Sequence, residues 1–128
     1  MSGLAPWLLS VLRIVAALLY IAHGTSKIFG FPPVRGGATV DLQSLLGLAG
    51  GLEIVGGTLI LVGLFTRPVA FVLSGEMAVA YFMSHAPRNI YPLLNQGEVP
   101  ILFCFIYLYL AFVGAGPLSL DRLRKKTA

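Results

Sequence analysis

The run GLAGGLEIVGG, residues 47–57, decides the fold. It is apolar and rich in glycine, yet it carries one carboxylate, Glu53. At 100° per residue, Gly50, Glu53 and Gly57 fall on one helix face, and Gly47 and Gly51 form a GxxxG pair. Small residues of this kind let helix backbones approach closely in lipid. Glu53 is expected about nine residues into its helix, roughly 13 Å deep at 1.5 Å per residue. That is near the middle of a bilayer, facing a partner helix rather than lipid.

The rest of the chain supports a lipid setting. Of 128 residues, 57% are hydrophobic and 11% are charged, and the mean hydropathy is +0.87. A soluble domain carries about 25% charged residues. So few charges cannot cover a water-facing surface. Four apolar runs predict helices over residues 7–29, 44–65, 68–86 and 98–115, joined by Pro- and Gly-rich loops. The fold class is all-α, an integral membrane four-helix bundle, with a single transmembrane domain over 1–128 and a basic tail over 118–128. Arg13 interrupts the first run and no Lys or Arg precedes it, which argues for a retained helix over a cleaved signal.

Four helices put both termini on one side. Arg67, Arg122, Arg124, Lys125 and Lys126 belong to that side, against Lys27, Arg35 and Arg88 on the other. The positive-inside rule predicts cytoplasmic termini. The basic tail suits anionic headgroups and no nucleic-acid pattern is present. The lone Cys104 excludes an internal disulfide and a CxxC exchange pair. Two histidines make no metal site.

The ionisable residues fall in two layers. A midplane set of Arg13, Glu53 and Glu76 is expected as a structural charge network, with Arg13 as the fixed cation. Unpaired, each charge costs about 2.5–3.5 kcal/mol at a helix centre. Arg13, Tyr20, Gly24 and Lys27 form a polar stripe on the first helix. A second set lies toward the far mouth: His23, Lys27, His85, Asn95 and Glu98. With Glu53 these are the candidate ligand-binding residues. Each has a plainer reading: Arg13 with either glutamate as glue between helices, Lys27 snorkelling to headgroups, His85 solvated in its loop, Glu98 suiting a helix N-terminus. Tyr81, Tyr91, Tyr107 and Tyr109 read as interface-belt aromatics. No residue is assigned a catalytic role.

The segments LLYIAHGTSKIFGF (18–31), GLEIVGGTLILVGLFTRPVA (51–70), MAVAYFMSHAP (77–87) and NQGEVPILFCFIYLYLAFVGAGPLSLD (95–121) together resemble the DoxX family of small four-helix bacterial membrane proteins. The resemblance spans nearly the whole chain. It implies a multi-pass bacterial inner-membrane protein linked with quinone-coupled sulfur oxidation, thiol redox defence or oxidative stress. By position it carries over His23, Lys27, Glu53, Arg67, Asn95 and Glu98. It brings no catalytic mechanism.

Three functions are open on these residues. The first is a redox-associated subunit with a small intramembrane pocket for a quinone or similar apolar ligand, fed by a redox partner protein. The second is a non-enzymatic membrane scaffold or assembly protein. The third is a small transporter or proton pore, which lacks an inverted repeat. A homodimer through the GxxxG pair is a further expectation.

Overall fold

The computed structural model describes residues 3–29, 45–87, 89–95 and 97–127, and their regular structure is entirely helical. Among these residues the long helices are α1 (Ala5–Phe29), α2 (Leu45–Val62), α3 (Thr66–Ala80) and α5 (Glu98–Val113), with short α4 (Pro92–Asn95) and α6 (Leu120–Thr127). At 1.5 Å per residue α1 is about 37 Å long and α2 about 27 Å. A bilayer core is about 30 Å thick. The stretch Ala5–Ser26 is long and apolar enough to cross by itself, and Gly47–Val62 and Glu98–Val113 are shorter apolar helices. α3 gains length by running into a π turn over Tyr81–His85, closed by the Ala86 N–H donating to the Tyr81 carbonyl at 2.9 Å.

The chain forms a bundle of two tight antiparallel pairs. α1 packs on α2 and α3 on α5; α2 against α3 joins the pairs, while α1 and α5 meet only lightly. Glycine sets the first pair. A Cβ on Gly24 would stand 2.8 Å from the Gly50 carbonyl oxygen and 3.0 Å from the Glu53 Cβ. One on Gly57 would stand 2.6 Å from Ile21 Cγ1. The helices touch backbone to backbone there, gaining dispersion contacts that lipid cannot supply.

The core is Ala16, Ala17 and Tyr20 of α1, Ile60 of α2, Ala70, Leu73 and Met77 of α3, and Phe103, Tyr107 and Leu110 of α5. The exposed surface is apolar: Val11 and Leu18 on α1, Val55 on α2, Phe71 and Val79 on α3, Phe105 and Phe112 on α5. Meanwhile Arg13 and Glu53 are buried. Charges inside and large apolar side chains outside are the distribution of a lipid-facing bundle. The all-α integral membrane bundle is the observed fold.

The helix ends differ from the sequence reading where backbone geometry intervenes. α2 stops at Val62 rather than 65, because Gly63 (φ 72°) and Phe65 (φ 53°) turn left-handed. α5 stops at Val113, followed by Gly114 (φ 88°) and Gly116 (φ 85°). The basic tail is not merely a tail: most of it is α6, held to the bundle by Asp121. Its N–H donates to the Gly63 carbonyl at 2.8 Å. Its carboxylate accepts from the Phe65 N–H at 2.8 Å and the Thr66 N–H at 2.9 Å, capping α3 from a distant part of the chain. Burial pushes the Asp121 carboxyl up, but these hydrogen bonds and Arg124 outweigh it and hold it below its ordinary range. The loop reading over 30–43 and the predicted helix start at 44 lie outside the described residues.

Candidate functional site

A buried polar cluster occupies the middle of the bundle. Tyr20 of α1 is fully buried, and its hydroxyl donates a hydrogen bond to Glu76 Oε1 of α3. Its ring meets Tyr107 edge-on at 5.0 Å and Phe103 at 5.3 Å between centroids. Tyr107 is also fully buried, with its hydroxyl 3.5 Å from the Ala16 carbonyl. Glu53 of α2 is buried at the level of this cluster. The register explains this. Gly56 of α2 packs on Leu73 of α3, so one turn further along these antiparallel helices Glu53 and Glu76 come to the same level.

Arg13 does not join them. It lies two turns of α1 from Tyr20, about 10 Å away along the helix. Its guanidinium donates to the carbonyls of Ala115 and Leu118, with a longer contact of 3.5 Å to Leu61. The expected network of Arg13, Glu53 and Glu76 is therefore two separate sites. The physical reason is supply. The last carbonyls of a helix have no intrahelical donor, and the turn after α5 turns its own backbone oxygens inward. A five-donor planar cation satisfies several of them at once. Ser10 reinforces the junction: its hydroxyl accepts from the Leu118 N–H at 3.1 Å.

The far-mouth set is distributed as follows. His23 is exposed on α1, its ring edge-on to Phe103 at 5.8 Å. Glu98 opens α5 and is exposed. Lys27 lies near the end of α1, His85 closes the π turn, and Asn95 ends α4. These backbones gather at the end opposite the termini, while the side chains of Lys27, His85 and Asn95 lie outside the described residues. Among the described residues no three His, Cys, Asp or Glu side chains meet as metal ligands would.

Beside this cluster runs an apolar groove of about 210 Å³ along the loose α1–α5 seam. Leu12, Val15, Ala16 and Leu19 form one wall, and Val99, Leu102, Phe103 and Ile106 the other. His23 follows Leu19 by one turn on the same helix edge, so it stands at the groove's far end. Phe103 belongs to both features. It lines the groove, and it also stacks on Tyr107 at 5.8 Å with an angle of 12° between planes.

Tyr107 corrects the sequence reading. It is a core residue, not an interface aromatic, whereas Tyr91 and Tyr109 are exposed. The signal was available: Phe103, Tyr107 and Leu110 repeat at i, i+4 and i+7, one helix face.

A model of the DoxX family matches residues 8–86 of this chain. The chain belongs to the DoxX family. An uncharacterized protein of Haemophilus influenzae is 44% identical over 120 residues, covering 91% of this chain and 90% of that protein. "Inner membrane protein YphA" of Escherichia coli is 29% identical, covering 91% of this chain and 90% of its own. "Putative oxidoreductase CatD" of Bacillus subtilis is 25% identical, covering 87% and 82%. No solved structure matches. The YphA name supports an inner-membrane location for this DoxX protein. The HGxxK and GLEIxGG segments of this member meet where Gly24 packs on Gly50 and Glu53, so both motifs build one helix contact.

Proposed function

We propose that this DoxX protein is a redox-associated, multi-pass subunit of the bacterial inner membrane. It holds a quinone, or an apolar ligand like it, in the groove between α1 and α5. The observation that carries the reading is the shared wall at Phe103. On one side lies a lipid-open apolar groove ending at His23; on the other lie Tyr20, Glu76 and Tyr107. A groove of about 210 Å³ is below the roughly 300–1,000 Å³ of a pocket for drug-sized molecules. It suits a flat ring whose tail continues into the bilayer.

The residues have separable roles. Phe103 offers a face to the ring. The His23 imidazole can donate a hydrogen bond to a ring oxygen and exchange a proton there. Reducing a quinone to a quinol takes two electrons and two protons, one proton for each oxygen. The Tyr20–Glu76 pair backs the Phe103 wall, and both protons reach the ring from the aqueous side through His23. The electrons come from a redox partner protein. The name "Putative oxidoreductase CatD" of the Bacillus subtilis relative is in keeping with such chemistry. The basic balance of the loops favours cytoplasmic termini.

The test is quinone analysis of protein purified in mild detergent. Wild-type protein is expected to carry quinone in stoichiometric amount. His23→Ala and Phe103→Leu variants that keep the wild-type melting temperature are expected to lose it. Equal quinone in all three proteins, or none in the wild type, overturns the reading. A ligand-free protein that captures a partner returns the cluster to structural glue, the scaffold alternative.

A further inference from the structure

At the end of the bundle that carries both termini lies a second, larger cavity of about 580 Å³. It is unlike the groove in chemistry. Its walls are the start of α3, the turn after α5 and the start of α6, and they carry Arg67, Arg122 and Arg124 against a single carboxylate, Asp121. The excess is two positive charges. Asp121 is already engaged, accepting from two backbone N–H groups and lying 3.8 Å from Arg124. Backbone acceptors in the wall are engaged too. The Ala115 carbonyl accepts from Arg13 and the Gly116 carbonyl from the Ser119 hydroxyl at 2.9 Å. Beside these engaged acceptors stand the donors of three arginines.

Its position completes the description. Thr66 begins α3 and Val113 ends α5, so the cavity sits where the helices leave the hydrocarbon. Arg67 lies across Gly114, its Nε 3.3 Å from where a Cβ would be. Arg124 stacks on Phe65 at 4.5 Å, and Phe65, Leu118 and Leu123 are exposed apolar neighbours. Donors facing a hole at headgroup depth, ringed by apolar side chains, match a phosphate that brings two acyl chains with it. Arginine forks suit phosphate oxygens.

We propose that this cavity is a binding site for the phosphate of an anionic phospholipid in the leaflet on the terminal side of the membrane. Arg67 and Arg122 bind the phosphate from two elements, α3 and the α6 that Asp121 holds beside it. The site is independent of the groove and of its proposed ligand.

Native mass spectrometry of the full chain from mild detergent, back-titrated with phosphatidylglycerol, phosphatidylcholine or inorganic phosphate, tests it. Phosphatidylglycerol is expected to be retained and phosphatidylcholine shed. Each of Arg67→Gln and Arg122→Gln is expected to weaken retention roughly fivefold, and the pair about 25-fold. Arg67→Lys keeps the charge and is expected to lose less than Arg67→Gln, which separates a lost contact from a lost fold. Equal retention of the two lipids, no loss in the double variant, or displacement of phosphatidylglycerol by inorganic phosphate overturns the proposal. The last outcome makes the cavity a free-phosphate site.

Discussion

Removing one oxygen atom, in Tyr20→Phe, tests the central cluster most directly. The phenyl ring keeps its edge contacts to Phe103 and Tyr107, at 5.3 and 5.0 Å. It also keeps its volume in a site with no exposure. What goes is the hydrogen bond donated to Glu76. A bond to a charged acceptor contributes about 1.5–3 kcal/mol and one to a neutral acceptor about 1 kcal/mol. For a chain of this length 1 kcal/mol corresponds to roughly 4 °C of melting temperature. The expected fall is therefore about 6–12 °C with an ionised Glu76 and about 4 °C with a protonated one. The assay is thermal unfolding in mild detergent, run as a double-mutant cycle with Glu76→Leu, which removes the acceptor. The two changes are expected to couple, so that Tyr20→Phe matters less once Glu76 is gone. Additivity within about 0.5 kcal/mol would mean that Tyr20 and Glu76 do not act on each other, and the cluster as drawn would be wrong.

Two further outcomes follow from the helix contacts. In Gly24→Ala the new methyl meets the Gly50 carbonyl oxygen at 2.8 Å, so backbone must move, at a cost of about 1–3 kcal/mol; an unchanged melting temperature refutes the close contact. Asp121→Asn weakens the cap on α3 and is expected to cost about 1 kcal/mol, measured as earlier proteolysis of the α6 segment. Because the folded Asp121 carboxyl is held below its ordinary range, its contribution is present above the unfolded value, about 3.9, and is lost as pH falls through the folded one. Wild-type α6 should therefore loosen in that acid window, and the Asn variant should show no such step.

The membrane bundle was legible because lipid imposes a composition on the outside of every long helix. Glu53 was placed against a partner helix because Gly50 and Gly57 share its face, and Gly24 now identifies that partner as α1. Arg13 was not legible. Reading charges against charges pairs it with a glutamate, but its acceptors are carbonyls of Ala115 and Leu118, which any residue would supply. A backbone acceptor leaves no mark in the side-chain alphabet. Nor did Asp121 announce itself as the cap of α3, since its partners lie 55 and 56 residues earlier. The groove along α1 and α5 escaped for a related reason: it is made by two helices that meet only lightly, and apart from Phe103 its walls are ordinary Leu, Val, Ile and Ala.

The link from Arg13 to residues 115 and 118 also sets an order on biogenesis. While the ribosome is still making the middle of the chain, the first helix already carries its guanidinium, and of the three carbonyls that will accept from it only that of Leu61 has been synthesised. The first helix pair is therefore made with a cation two of whose three acceptors do not yet exist. The Arg13 site is complete only once residues 115 and 118 have been made. Closure of the bundle around Arg13 is thus timed by the arrival of the turn after α5.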